Sequence, residues 1–511
     1  MIAAKRQRRV KGLGLCLTLS ALALSAGVML APASQAQFEQ SVANDEGVDA
    51  IRLAIKRSLA RFAQSIPQEI NLVLQGPVEV AIDGQSYTAA VPALGLRAAD
   101  EDDIYELNLG PTLSIIEPLG ANRVAAEITP SEQLVGTLND ETMFSIDWVT
   151  RIAEATFNTE FGFAEAFEFV LDQVKFIDVD GGSTLMDIAE LVFDGAYEPA
   201  GPDRVDGVGS LVATDVRMSS PETSQEVTIG WTTFSSDVQQ FDLSRYQDYL
   251  DFYARLSALS ASESALTFEQ AEFVADELIG FFTLFDAALQ RFEIKDARVD
   301  GVGEQVGVHA AELAVSVGGL LGDVMRLTVA GDVDSPDVSL DGTFDAFVPR
   351  RVQVDAALAS IPVDLVKESV HKLTVGTLAG VDGDDIADEM HDQLDKLMNT
   401  DAKLDVASVI VELDDSAAFV DGTVNFDPQA AFGAFGQGSI RLVGLENLIE
   451  KTRDLPNGPQ VAAFLAFLLA AGQQEDGADG MSVRLYEVEV TPGGTALLNG
   501  ADIGPLLQQL N

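Results

Sequence analysis

The hexapeptide Arg-Val-Asp-Gly-Val-Gly (RVDGVG) occurs twice in the chain, at Arg204–Gly209 and again at Arg298–Gly303. Neither copy completes the dinucleotide-binding pattern G-x-G-x-x-G, because Val212 and Val306 stand where the third glycine would fall. Apolar and polar residues alternate after each copy, which is typical of a strand rather than a helix. We therefore predict that each copy is a hairpin bend at the same place in two related structural units.

Short alternating runs separated by Asp-Gly pairs dominate the rest of the chain. The Asp-Gly dipeptide occurs ten times, and it favours two-residue hairpin turns because both of its residues tolerate a positive φ. In one of the clearest strands, Met325, Leu327 and Val329 alternate with Arg326 and Thr328. One apolar and one polar face are typical of an antiparallel sheet that is covered on one side only.

Helical patterns interrupt these strands at Ser145–Phe176, Leu243–Leu259 and Thr267–Phe292. The apolar segment Val461–Gly472 is too short to cross a bilayer, so it predicts a buried helix. The predicted fold class is α+β: an elongated, predominantly antiparallel β-sheet built from repeated hairpin units with packed helices. The predicted segments are a signal peptide (1–36), an amphipathic helix (37–67), a first α+β unit (68–200), a second unit (201–292), a third, β-rich unit (293–440) and a C-terminal helix-strand-hairpin module (441–511).

The N-terminus has the form of a secretory signal peptide. Basic residues precede the apolar stretch Leu13–Ala31, and the small residues Ser34 and Ala36 lie where a signal peptidase requires them. Cleavage after Ala36 would place the mature protein in the periplasm. The alternative is an uncleaved inner-membrane anchor with the body facing the periplasm, because the apolar run approaches the roughly 20 residues that span a bilayer.

Composition excludes several classes of protein. The formal net charge of −50 makes nucleic acid a poor partner, and 47% hydrophobic residues supply enough apolar surface for a folded core. Cys16 is the only cysteine and lies within the signal peptide, so the mature chain would contain neither a disulfide nor a thiolate metal site. No cofactor is predicted.

The predicted N-terminal helix carries a basic face in an acidic protein, formed by Arg52, Lys56, Arg57 and Arg61. One hypothesis is that these side chains contact anionic lipid headgroups at a membrane surface. The alternative is that they pair with carboxylates of the protein itself or face solvent.

Two acidic clusters are candidate cation sites: Asp178 with Asp180, and Asp382 with Asp384 and Asp385. Neither completes the EF-hand pattern, so a non-standard cation site is the remaining metal hypothesis. Catalytic motifs are missing from the sequence. Ser369-Val370-His371-Lys372 fits the S-x-x-K motif of penicillin-binding proteins, but the partner motifs S-D-N and K-T-G are missing.

The C-terminal module combines an apolar helix (VAAFLAFLLAAG), an acidic loop (QQEDGADG), a strand (SVRLYEVEV) and a glycine turn (TPGGTALLNG). This order resembles the ending of uncharacterised secreted proteins of Gram-negative bacteria, which are distantly similar to AsmA-like envelope proteins. The resemblance implies an elongated antiparallel sheet whose apolar face shelters lipid, and a role in envelope maintenance without catalysis. It implies no functional residues. AsmA-like proteins are usually held by an uncleaved helix, whereas cleavage is predicted for this chain.

These observations predict a noncatalytic periplasmic envelope protein that shelters lipid acyl chains on an apolar sheet face. Its partners would then be lipid or a membrane surface. The first alternative is an acidic-site cation-binding protein or hydrolase. The second is a periplasmic scaffold that binds another envelope protein.

Overall fold

The structure is a computed structural model of the 511-residue chain. The chain divides into two compact units: unit 1 is Met1–Thr223 with Gln239–Ala265, and unit 2 is Ser224–Val238 with Leu266–Asn511. The predicted signal peptide and Asp180 lie outside the described residues. The structure describes residues 42–65, 70–100, 103–120, 122–158, 163–179, 182–220, 225–245, 248, 252, 266–300, 305–338, 347–452, 458–476 and 482–504.

Both units consist mainly of antiparallel strands, and the α+β class is confirmed. The Asp-Gly pairs are not all turns: Asp83-Gly84 begins a hairpin turn, whereas Asp194-Gly195, Asp206-Gly207 and Asp421-Gly422 lie within strands. Strand β13 (Gln225–Asp242) is divided between the units after Val238. The other strands of unit 1 are β1 (Ile70–Leu74), β2 (Glu79–Asp83), β3 (Ser86–Val91), β4 (Leu94–Asp100), β5 (Asp103–Leu109), β6 (Thr112–Gly120), β7 (Arg123–Thr129), β8 (Gln133–Leu138), β9 (Glu141–Asn158), β10 (Phe163–Asp178), β11 (Ser183–Pro199) and β12 (Arg204–Ser220).

The long strand β9 organises unit 1. One edge of β9 pairs with β8 over its first half and with β7 over its second half. Strand β8 continues into the branch β8-β5-β4-β1, and β7 continues into the branch β7-β6-β3-β2. The other edge of β9 pairs with β10, which leads to β11 and β12. With 18 residues, β9 is long enough to pair with β8 and β7 one after the other along the same edge.

Helix α1 (Asp45–Ser65) packs on β2 and β3. The Asn44 side chain caps its start by accepting a hydrogen bond from the Gly47 backbone N–H at 2.8 Å. Ile51, Ile55 and Leu59 recur every four residues, so they form one buried face. The helix is thereby fixed to the sheet through its apolar side.

The helical prediction for Ser145–Phe176 is wrong, because these residues form β9 and β10. The buried side chains of the second half of β9 are Ala153, Ala155 and Phe157, which recur every second residue as in a strand. The predicted helix at Leu243–Leu259 lies mostly outside the described residues.

The repeated hairpins are confirmed, but the RVDGVG copies hold different places in them. The first copy is the start of β12, after the turn rather than in it. The second copy ends a strand at Asp300, and the chain reverses between Asp300 and Gln305. In the first copy, Gly207 lies directly opposite Tyr197, whose ring occupies the space that a Cβ would take. This glycine therefore accommodates a cross-strand aromatic ring, not an anion.

Unit 2 is a ladder of antiparallel strands, with helices before β14, between β17 and β18, and between β20 and β21. Its strands beyond β13 are β14 (Ala287–Asp300), β15 (Gln305–Gly318), β16 (Val324–Val338), β17 (Arg351–Pro362), β18 (Lys403–Glu412), β19 (Ala417–Phe426), β20 (Ala434–Val443), β21 (Gln473–Asp476), β22 (Ser482–Val490), β23 (Ala496–Leu498) and β24 (Ala501–Asp502). Its described helices are α2 (Phe268–Gly280), a 3₁₀ turn (Phe281–Thr283), α3 (Val363–Leu378), α4 (Gly383–Met398), α5 (Leu445–Thr452) and α6 (Gly458–Ala471).

The capping box that opens α2 is present: the Gln270 backbone N–H donates to Thr267 Oγ1, and the Thr267 N–H donates to Gln270 Oε1 at 2.9 Å. The helix ends at Gly280 rather than near residue 292, because Ala287 begins a strand that pairs with β15. None of the helices in the described part of the chain is long and apolar enough to cross a membrane.

Candidate functional site

Strands β14 to β20 and β22 pair in succession, and their register determines which side chains share a face. Three cross-strand rows contain only apolar residues and glycine, and we call them together the apolar face. The first row is Phe292, Leu313, Gly331, Val354, Val409, Val420, Ile440 and Tyr486. The second begins at β15, because its β14 position is Gln290, and consists of Val315, Val329, Ala356, Val406, Gly422, Gly438 and Val488. The third is Val317, Leu327, Leu358, Leu404, Val424, Gly436 and Val490.

The opposite side of the same strands is polar and carries the ion pairs. Arg351 binds Asp332 at 2.5 Å, and Asp405 accepts from both Lys403 and Arg326. Arg291 pairs with a glutamate of the neighbouring strand at 3.1 Å. One face of these strands therefore carries charged side chains, and the other carries the three rows of apolar residues and glycine.

Over β14 to β17 the apolar face is open to solvent. The exposed fraction is 45% for Phe292, 51% for Leu313, 42% for Val329 and 38% for Val354. These residues lie next to one another across the strands, so they form a continuous patch. Contiguous exposed apolar patches on soluble proteins mark binding surfaces.

Over β18 to β22 the apolar face deepens into a groove of about 460 Å³. Its walls are valine and isoleucine side chains, and the exposed ring of Phe432 lies at its edge. Gly422, Gly436 and Gly438 form a floor of bare backbone. A Cβ at Gly422 would lie 2.7 Å from the Gln437 carbonyl oxygen, so these strands approach too closely for a side chain there.

Helices cover parts of this face. Val317 and Leu358 pack against the buried cluster of Leu320, Met325, Ile361 and Val363, which joins the sheet to the start of α3. In the first row, Tyr486 is only 1% exposed, and its hydroxyl donates to the Leu468 carbonyl of α6 at 2.7 Å. Burial raises the pKa of Tyr486, so its hydroxyl stays protonated as this hydrogen bond requires.

The described acidic residues proposed as cation ligands lie either at the end of a strand or at the start of a helix. Asp178 ends β10 opposite Ser183. Asp382 caps α4 by accepting from the Asp384 backbone N–H at 3.0 Å, and Asp384 and Asp385 lie in the first turn of that helix. Within the ranges that the structure describes, no group of three or more acidic, histidine or cysteine side chains could hold a metal ion.

An acidic row that the sequence did not indicate crosses unit 1. The register places Glu127 opposite Glu154, Glu154 opposite Glu168, and Glu168 opposite Asp194. The first three of these carboxylates line a groove of about 420 Å³. Like charges directly opposite one another destabilise a sheet. Because these residues are far apart in the sequence, only the strand register brings them together.

The basic face predicted on the N-terminal helix is only partly neutralised. Arg52 pairs with Asp49 of the same helix at 2.7 Å and donates to the Val80 carbonyl. Lys56 and Arg57 are exposed, and neither forms an ion pair with another residue in the ranges that the structure describes. The side chain of Arg61 lies outside the described residues.

The S-x-x-K match is part of a helix contact. Ser369 Oγ donates to the Leu365 carbonyl at 2.8 Å, and Lys372 binds Glu389 and Glu368 at 2.8 and 3.3 Å. The hydrogen bond with Glu389 raises the pKa of Lys372, which favours the charged form of this amine.

Glu368 joins α3 to α4 and makes stability depend on pH. Hydrogen bonds from Lys396, Gln393 and Lys372 lower its pKa from 4.5 to about 2. Because the folded pKa lies below the unfolded value, its stabilising contribution is full above about pH 4.5 and is lost as the pH falls towards 2. We expect Glu368→Gln to reduce the loss of melting temperature between pH 5 and about pH 3. The exposed Glu272 provides the control: Glu272→Gln should leave the loss as in the wild type, and an equal loss in all three proteins would contradict the assignment.

No known protein family matches the chain, and no curated protein or solved structure matches it. The residues themselves must therefore indicate the function. The apolar face carries no charged side chain in its three rows. Such a surface can exclude water from hydrocarbon.

Proposed function

We propose that the protein is a noncatalytic periplasmic envelope protein whose unit 2 shelters the acyl chains of a lipid on the apolar face. The observation that supports this proposal is the continuity of the three apolar rows from the open patch into the groove. The signal-like N-terminus supports export, and the resemblance of the C-terminal module to AsmA-like proteins suggests lipid as the ligand.

The size and chemistry of the groove suit a flexible chain. Its volume of about 460 Å³ lies within the range of roughly 300–1,000 Å³ that is typical of small-ligand sites. Each methylene removed from water contributes about 0.8 kcal/mol, so a long acyl chain gains affinity along the whole strip. The glycine floor allows the chain to approach the backbone closely.

A polar substitution in the groove tests the proposal. Val488 lies on the apolar face and its neighbour Glu489 on the polar face of β22. We expect Val488→Gln to weaken binding of a fluorescent 16-carbon fatty acid about tenfold or more, because a buried amide without a partner costs roughly 1–3 kcal/mol. Glu489→Gln introduces the same side chain on the other face and should bind the probe like the wild type.

The experiment uses the full chain exported to the periplasm of a Gram-negative host. Probe affinity is measured by fluorescence titration, and lipid carried through purification is identified by mass spectrometry after organic extraction. Equal probe affinity in the wild type and the Val488→Gln variant would refute binding in the groove. Failure of the wild type to bind the probe, with no lipid in the extract, would refute the lipid function itself.

A further inference from the structure

Helix α6 has an unusual composition for the surface of an acidic protein. Its sequence, GPQVAAFLAFLLAA, contains no charged residue, and Gln460 is its only polar side chain. The sequence predicts that this helix is buried, and that prediction is wrong: the exposed fraction is 39% for Val461, 52% for Phe464 and 40% for Phe467. These three residues are spaced by three positions, so they lie on one side of the helix.

The helix adjoins the apolar face. The Leu468 carbonyl of α6 accepts the hydrogen bond from Tyr486, and Tyr486 lies opposite Ile440, which lines the groove. A Cβ at Gly472, just after the helix, would lie 2.7 Å from the Tyr486 ring, so the chain is packed closely over that ring. The C-terminal end of α6 therefore lies at the covered end of the apolar face.

The dimensions of α6 restrict what can cover it. Its 14 residues are fewer than the roughly 20 needed to span a bilayer. At about 1.5 Å per residue and about 10 Å in width, one side of the helix offers roughly 200 Å². A stable protein interface needs roughly 800 Å² from each partner, with a polar rim that α6 does not provide. A lipid leaflet needs neither a large complementary area nor a polar rim.

We propose that α6 inserts its exposed side into the acyl region of a phospholipid leaflet and places the groove at a membrane from which it takes acyl chains. The insertion itself does not depend on the proposed lipid binding, whereas the uptake of chains rests on it. Because α6 has no cation and the protein is strongly acidic, neutral vesicles should bind at least as well as anionic ones.

The test removes the two exposed rings. We expect Phe464→Ser with Phe467→Ser to reduce partitioning onto phosphatidylcholine vesicles at least tenfold in a flotation assay, because full burial of a phenylalanine gains more than a tenfold factor. The matched control is Phe268→Ser, which removes a ring that is 59% exposed at the start of α2 in the same unit. The control should float like the wild type.

Other outcomes would overturn the proposal. Equal flotation of the wild type and the double variant would show that α6 does not insert. Stronger binding to vesicles containing phosphatidylglycerol, unchanged in the double variant, would assign membrane contact to the basic face with Lys56 and Arg57. Dimerisation of the wild type that the double variant abolishes, measured by sedimentation, would assign the exposed side to a second copy of the chain.

The same variants separate this proposal from the lipid-binding function. In solution without vesicles, the double variant should bind the fatty-acid probe like the wild type, because neither ring lines the groove. The Val488→Gln variant should float normally and bind the probe about tenfold or more weakly than the wild type. Each variant thus fails in one assay only, and failure of one proposal leaves the other measurable.

Discussion

Replacing Tyr486 with alanine is expected to lower the free energy of unfolding of unit 2 by about 3–5 kcal/mol. The ring is 1% exposed, lies opposite Ile440 in the ladder and is covered by the backbone that follows α6. Truncation would leave a cavity between sheet and helix. It would also remove the hydroxyl that satisfies the Leu468 carbonyl at 2.7 Å.

The chain contains two tryptophans, Trp148 in unit 1 and Trp231 in unit 2, so fluorescence can follow each unit separately. The Tyr486→Ala loss should appear in urea unfolding followed by Trp231, in a Trp148→Phe background. Tyr486→Phe is the control and should cost only about 1 kcal/mol, since it removes the hydrogen bond and keeps the ring. A cost for alanine no larger than that for phenylalanine would show that the ring does not hold α6 on the sheet.

Phe157→Ala is expected to lower the free energy of unfolding of unit 1 by about 3–5 kcal/mol. Phe157 is 1% exposed on β9, opposite Val124 of β7 on one edge and Ala164 of β10 on the other. It therefore lies where the β7 branch joins the long strands. A cavity there would weaken contacts on both edges of β9 at once.

This loss should appear in the unfolding transition followed by Trp148, in a Trp231→Phe background. Leu113, which is 47% exposed on β6 of the same unit, provides the control. Leu113→Ala should change stability by less than about 1 kcal/mol, as is usual for an exposed position. If Phe157→Ala were as mild as Leu113→Ala, the position of Phe157 in the core of unit 1 would be wrong.

The antiparallel fold could be predicted because its signals are local. A period of two, as at Met325, Leu327 and Val329, depends only on neighbouring residues, whereas Asp-Gly pairs were a poor guide, since Asp194-Gly195 and Asp421-Gly422 lie within strands. The sequence also predicted one-sided strands. It could not place Val329 beside Ala356 or Gly422 beside Gly438, because those pairs depend on register between strands.

The two wrong predictions, a helix at Ser145–Phe176 and a buried α6, also concern contacts between elements. Residues 145–158 contain apolar side chains at both helical and strand spacing, and they form a strand because β9 pairs with neighbours on both edges. The apolar sequence of α6 predicts burial, yet the helix packs on α5 and meets the sheet at Tyr486, which leaves Phe464 exposed. Whether an apolar helix is covered depends on neighbours that its own residues do not specify.

The division of β13 has a consequence for the order in which the protein can fold. Residues 224–238 belong to unit 2, where Thr232 donates to the Glu293 carbonyl, whereas residues 239–265 return to unit 1, where Arg204 binds Asp242. A chain synthesised from its N-terminus therefore exposes residues 224–238 before their partners near residue 293 have been made. Unit 1 can be completed earlier, once residue 265 has been made. The chain passes between the units after residues 223, 238 and 265, so a fragment that carries all of unit 2 must begin no later than Ser224.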